Sequence, residues 1–181
     1  LIFLFLIDFK FKMFKNIRIK NKPFLIAEIG INHNGSVQKA KELIRHAKKN
    51  GFDAVKFQTY KSELVSSKNL AAASYQKRAG FKKMYSLLRK YQLSFEEFKE
   101  LDRYCKIQKI TFLSTPFDVE SAKFLESLNM KIFKVSSGDL DNFHLLNVIK
   151  KFKKPIILST GLAENIHQIK KTLKFLNYKK K

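Results

Sequence analysis

Residues 24–51 read FLIAEIGINHNGSVQKAKELIRHAKKNG, and the change of period along them decides the fold. Residues 24–30 (FLIAEIG) form a short apolar run broken only by Glu28, which is the pattern of a largely buried strand. Asn and Gly then crowd residues 31–35, a turn composition. From Val37 to Asn50 the apolar residues recur at helical spacing, and Gly51 stands where a helix-ending C′ glycine belongs. Strand, loop and helix make one βα unit.

The unit repeats. Strands are expected at 54–59 (AVKFQT), at 110–115 (ITFLST, before Pro116), at 132–137 (IFKVSS) and at 155–160 (PIILST, before Gly161). Helices are expected at 96–108, 119–128, 142–152 and 165–176. Residues 60–93 exceed a bare connection, and the spacing of Met84, Leu87 and Leu88 predicts a helical insertion there. Short strands alternating with longer helices predict an α/β protein with a parallel sheet.

Composition bounds the rest. The chain has 181 residues, 45% of them hydrophobic, with 18 Phe, which is enough apolar material for a core and excludes a disordered basic tail. Cys105 is the single cysteine, so neither a disulfide scaffold nor a Cys-rich zinc site is available. The 37 Lys and Arg against 15 Asp and Glu give a net charge of +22, which fits a nucleic acid, a membrane surface, an acidic small substrate, or lysine-rich helix surfaces with no partner. The lysines spread through nearly every helix and linker without a recognisable nucleic-acid-binding pattern, so no nucleic-acid partner is expected.

Residues 1–7 (LIFLFLI) are apolar, but a membrane-spanning helix needs about 20 such residues. A secretory signal would carry its positive charges ahead of the run, whereas Lys10, Lys12 and Lys15 follow it. The sequence opens on Leu, and Met13 precedes ordinary protein sequence, so residues 1–12 read as an extension ahead of a domain at 13–181; the alternative is a weak membrane-surface anchor. The expected location is cytoplasmic, with no membrane partner.

Polar groups fall at or near the strand ends: Glu28, Lys56 with Gln58, Ser114 with Thr115, Lys134 with Ser137, and Ser159 with Thr160. Parallel α/β folds bind ligands beyond the carboxyl ends of their strands, so a shared pocket is expected there. Lys56 and Lys134 sit inside apolar runs, where an unpaired ammonium is costly to bury. As two such lysines on neighbouring strands they call for an anion, with the nearby hydroxyls completing a phosphate or carboxylate cradle. Glu28 and Asp139 are candidates for proton transfer or for holding a sugar hydroxyl, although Glu28 also fits a core carboxylate paired to Lys56 or Lys134. Asn32, His33 and Asn34 suit a polyhydroxylated ligand, or a tight turn and nothing more; His33 as a lone metal ligand is the weaker reading. His144 and His167 fall in helical segments.

IAEIGINHNG (26–35), VKFQT (55–59), STPFD (114–118), KVSSGDL (134–140) and KPIILSTG (154–161), in that order, resemble the N-acetylneuraminate (sialic acid) synthase family, which includes the legionaminic and pseudaminic acid synthases. The resemblance implies a (β/α)8 TIM barrel followed by an antifreeze-like C-terminal domain. It also implies condensation of phosphoenolpyruvate with an N-acylated amino sugar such as N-acetylmannosamine, assisted by Mn2+ or Mg2+, to give a nonulosonic acid and phosphate. Lys56, Thr115, Lys134, Ser137 and Ser159 match the family's phosphoenolpyruvate-binding positions, and Glu28 its acidic residue near the reacting centre. Gln58, Asn32 and Asn34 are secondary candidates. Asp139 stands where the sialic acid synthases commonly have Glu, which shortens its reach and points toward a related nonulosonate substrate. The tract 75–93 matches the long loop shaping the sugar side of the pocket.

Such a barrel takes about 250 residues, so the sequence reads as its first five βα units, without the later strands and the antifreeze-like domain. The family's two metal-binding histidines belong to later strands, so no metal ligand is expected in this chain. A homodimer is implied for the longer form. The isolated chain is expected to be inactive or to persist as a noncatalytic binding module. Phosphate release from phosphoenolpyruvate, N-acetylmannosamine and Mn2+ by this chain alone would overturn the expectation of inactivity.

Overall fold

All five expected strands form, each in its place between helices. The computed structural model describes residues 4–7, 23–71 and 82–177. Its elements run β1 (Leu4–Ile7), β2 (Ile26–Gly30), α1 (Val37–Lys49), β3 (Ala54–Thr59), α2 (Ser62–Val65), α3 (Met84–Tyr91) and α4 (Phe95–Ile107). They continue as β4 (Thr111–Pro116), α5 (Val119–Ser127), β5 (Phe133–Val135), α6 (Phe143–Lys151), β6 (Ile156–Ser159) and α7 (Ile166–Phe175). One three-stranded sheet has the order β2-β3-β4 and the other β1-β6-β5. β2 pairs in parallel with β3, and β5 with β6, as βα repetition requires. Among the described residues no helix is long and apolar enough to cross a membrane.

Local chemistry starts and stops these elements. Ser36, Asp118, Asn142 and Asn165 each cap a helix by accepting a backbone N–H with the side chain. Ser94 and Glu97 form a complete capping box at the start of α4. Gly51, at φ +78°, turns the chain out of α1, and the Gly51 and Phe52 amides close on the Lys48 and Ala47 carbonyls.

The chain divides into two compact units, with boundaries before Ile26 and inside β4 after Phe112. In the unit Ile26–Phe112, Phe57 is fully buried, stacked on Phe112 at 5.6 Å and edge-on to Phe98 at 6.2 Å. Ala40 and Ile44 of α1 and Leu101 and Cys105 of α4 complete that core. Burial pushes the Cys105 thiol up to about 12, with the Asp102 charge adding to the effect. In the other unit Phe133, Leu125, Leu145, Leu146, Ile149, Ile156 and Leu158 are buried. There Lys154 and Glu126 form an ion pair at 2.5 Å.

One sequence expectation changes and two gain detail. The backbone at Leu4–Ile7 is a strand, antiparallel to β6 with Leu4 opposite Ser159, so this part of the presumed extension pairs with a sheet edge; residues 8–22 lie outside the described set. Residues 132–137 shorten to Phe133–Val135, because the Ser136 side chain accepts the Gly138 N–H and bends Ser137–Asp139 into a 3-10 turn. Residues 60–93 carry two helices, α2 and α3, while residues 72–81, and with them part of the tract 75–93, lie outside the described residues.

Gly35 shows what the first βα loop demands. Its φ is +75°, and a Cβ there would stand 2.6 Å from the Lys90 carbonyl oxygen. Gly51 has a similar φ with nothing within 4 Å. Gly51→Ala is therefore expected to cost about 1 kcal/mol of stability. Gly35→Ala adds a backbone clash, and about 2–4 kcal/mol is expected. Urea unfolding of the two variants side by side checks the difference.

Candidate functional site

β2 and β3 place two charged side chains in register. Glu28 and Lys56 are Cα partners across the parallel pair, and Lys56 Nζ lies 3.0 Å from Glu28 Oε2. The lysine side chain is 11% exposed and the carboxylate 56%. Glu28 is thus no core carboxylate; it reaches the surface while its partner stays sunk in the strand. The first partner of Lys56 is a protein carboxylate, so its burial alone does not demand an external anion.

The register slips between Glu28 and Gly30, and that irregularity shapes the site. Gly30 has φ +54°, and a Cβ on it would lie 3.2 Å from Glu28 Oε1 and 3.6 Å from Gln58 Nε2. Gly30 therefore leaves room that the Glu28 carboxylate and the Gln58 amide both border. Beyond it the chain makes tight turns, Asn32 N–H to Ile29 carbonyl and Asn34 N–H to Ile31 carbonyl, which leave Asn32 and Asn34 exposed. Glu28 and Asn32 line a groove of about 270 Å³ along α1. Tyr60, whose hydroxyl pKa burial raises, donates to the Leu88 carbonyl of α3.

The remaining candidates belong to the other unit. Lys134 lies on β5, Lys56 on β3, and the two strands are in different sheets; the expectation of lysines on neighbouring strands is wrong. A single apolar run around each lysine could not reveal which strands adjoin. The Lys134 ammonium donates to the Val135 carbonyl at 2.8 Å. Ser137 is half-buried on the 3-10 turn, Ser159 half-buried at the end of β6, and Thr115 is 1% exposed within β4. Asp118 of the STPFD motif is accounted for by helix capping, accepting from the Ser121 N–H and hydroxyl, each at 2.7 Å.

Burial raises the Asp139 carboxyl above the usual aspartate range, partly offset by a hydrogen bond from Asn142 Nδ2 at 3.1 Å and by the Lys134 charge. An acid with a raised folded-state pKa holds its proton more tightly folded than unfolded. Stability therefore falls as pH climbs from the usual aspartate range through the raised value. Asp139→Asn keeps an acceptor for Asn142, and its unfolding free energy is expected to lose that fall. Urea titrations from about pH 3 to 7, which span the ordinary aspartate value of about 3.9, measure it.

His144 and His167 are exposed on α6 and α7. Among the described residues no group of three or more His, Cys, Asp or Glu could hold a metal ion. The Mn2+ or Mg2+ implied by the resemblance thus finds no ligand set there.

Residues 43–181 match the NeuB family model. The chain belongs to the NeuB family. It is 42% identical over 157 residues to N,N'-diacetyllegionaminic acid synthase of Campylobacter jejuni, covering 86% of this chain and 47% of that protein. It is 34% identical over 157 residues to human N-acetylneuraminate-9-phosphate synthase, covering 85% and 44%. The crystal structure of an N-acetylneuraminic acid synthetase from Leptospira borgpetersenii superposes with a TM-score of 0.75 at 30% identity, over 87% of this chain and 50% of that one. The NeuB-family chain therefore spans about half the length of these relatives, and its βα order is that of a TIM-barrel-type protein.

Proposed function

We propose that this NeuB-family chain carries the phosphoenolpyruvate-handling part of a nonulosonic acid synthase, which joins phosphoenolpyruvate to an N-acylated amino sugar and releases phosphate. The observation that carries the reading is the in-register pair of Glu28 and Lys56, a half-exposed carboxylate 3.0 Å from a sunken ammonium. A largely buried ammonium beside a half-exposed carboxylate can take a small anion as well, and with little water competing that contact is strong. In the unit Ile26–Phe112 Lys56 is assigned a hold on the substrate's phosphate or carboxylate, and in the other unit Lys134, Thr115, Ser137 and Ser159 are the anion-binding candidates. Fixed cations of that kind also offset the charge that grows on departing phosphate. Glu28 and Asp139 are each candidates to move a proton, and burial holds the Asp139 carboxyl above the usual aspartate range. Citrate, a small polyanion, is present in the Leptospira synthetase crystal, which is in keeping with anion binding in this family.

N-acetylmannosamine is the first expectation for the sugar. A legionaminic-type, di-N-acetylated sugar is the second reading, favoured by Asp139 in place of Glu and by the 42% identity to a legionaminic acid synthase. Calorimetric titration of phosphoenolpyruvate into the full chain tests the proposal. Saturable binding is expected, and inorganic phosphate should compete. Failure to saturate at millimolar ligand would overturn it.

A further inference from the structure

His33 is 1% exposed, yet it lies in a loop between two exposed asparagines. Its ring sits 6.2 Å from that of Phe57, tilted by 42°. Nδ1 accepts the Gly35 N–H at 3.1 Å, and a ring N–H donates to the Gly30 carbonyl. With Nδ1 occupied as an acceptor, that donor is Nε2, so the imidazole is neutral with its proton on Nε2. Burial also lowers its pKa, against the opposing charge of Glu97 on α4.

Both backbone partners are glycines held at positive φ, Gly30 at +54° and Gly35 at +75°. One imidazole therefore ties the two ends of the loop. Of the two ties, the one to Gly30 has the chemical consequence. Glu28 Oε1 and Gln58 Nε2 both lie against Gly30, so what sets the Gly30 peptide bears on where those two groups can sit. A histidine placed only for packing would touch core groups; this one is bonded to the peptide against which a carboxylate and an amide lie.

We infer that His33 is a positioning residue, which through its Nε2–H to the Gly30 carbonyl holds Glu28 and Gln58 in the geometry that phosphoenolpyruvate meets. The inference rests on the proposed function for its ligand, but not for its geometry. Three variants separate the two ties: His33→Gln reaches the Gly30 carbonyl as Nε2 does, His33→Asn reaches only the Gly35 amide, and His33→Phe keeps the ring and loses both.

The test uses the full chain and two readouts. Without ligand, NMR of the labelled protein is expected to show a single neutral His33 tautomer protonated at Nε2. The Glu28 carboxyl and Gln58 amide signals should move in His33→Phe and His33→Asn and return in His33→Gln. With phosphoenolpyruvate, affinity is expected to fall about tenfold in the first two variants and to recover to within about threefold in the third, the scale of one lost buried hydrogen bond. An imidazolium or an Nδ1 proton in the wild type, unmoved Glu28 and Gln58 signals in folded His33→Phe, or equal losses in the Asn and Gln variants would overturn the inference. So would unfolding of all three, which makes His33 a core residue only. If the wild type binds no phosphoenolpyruvate, the functional reading falls, and the ligand-free signals still decide the role of His33.

Discussion

Phe57→Ala is expected to lower the unfolding free energy by roughly 3–5 kcal/mol, the usual cost of emptying a buried aromatic site. Phe57 is fully buried and is shared by three rings: Phe112 at 5.6 Å, Phe98 at 6.2 Å and His33 at 6.2 Å. These come from a strand, a helix and the first loop, so the cavity cannot close by a shift of one element. Domain stabilities run to about 5–15 kcal/mol, so the variant is expected to be partly unfolded at 37 °C or close to it. Urea denaturation followed by circular dichroism measures the loss. Phe57→Leu, which fills most of the volume, should recover more than half of it.

The second large effect is on binding. Lys56→Met keeps the length and apolar stem of the side chain and removes its charge. Its former partner Glu28 is 56% exposed and stays hydrated, so stability is expected to hold within about 1 kcal/mol. Affinity for phosphoenolpyruvate is expected to drop about 30- to 100-fold, the value of a charge-assisted contact to an anion. Glu28→Gln gives the opposite sign, because it removes a negative charge beside the anion while leaving Lys56 in place; phosphoenolpyruvate should bind at least as tightly. Calorimetry on the two variants reads both. Equal weakening in both would show that the pair acts as one structural unit and not as an anion-binding lysine with a carboxylate neighbour.

Much of the fold is visible in the chain as written. AVKFQT is a strand because its apolar and β-branched residues have nowhere else to go between Gly51 and the polar stretch that follows Tyr60. Ser94-x-x-Glu97 announces a helix start by chemistry that acts within one turn. Such signals are local, and they survive without knowledge of neighbours. The site is less legible for the same reason. That Lys56 meets Glu28 depends on the register of β2 against β3, and that Lys134 lies in another sheet depends on strand order; neither is encoded within one strand. Ser137 reads as a strand end until Ser136 is seen to bend the backbone. His33 reads as a weak ligand because its two partners are backbone groups of glycines, which carry no side-chain signature.

Cys105 offers a practical consequence. Its thiol is 1% exposed on α4, and burial pushes its pKa up to about 12, so at neutral pH almost no reactive thiolate is present. The chain has no other cysteine. A reporter thiol introduced at Asn32, exposed in the same groove as Glu28, would then take a maleimide dye or spin label without background from the native sulphur. Motion of the first βα loop, and any response of it to phosphoenolpyruvate, can be watched in the otherwise unaltered chain.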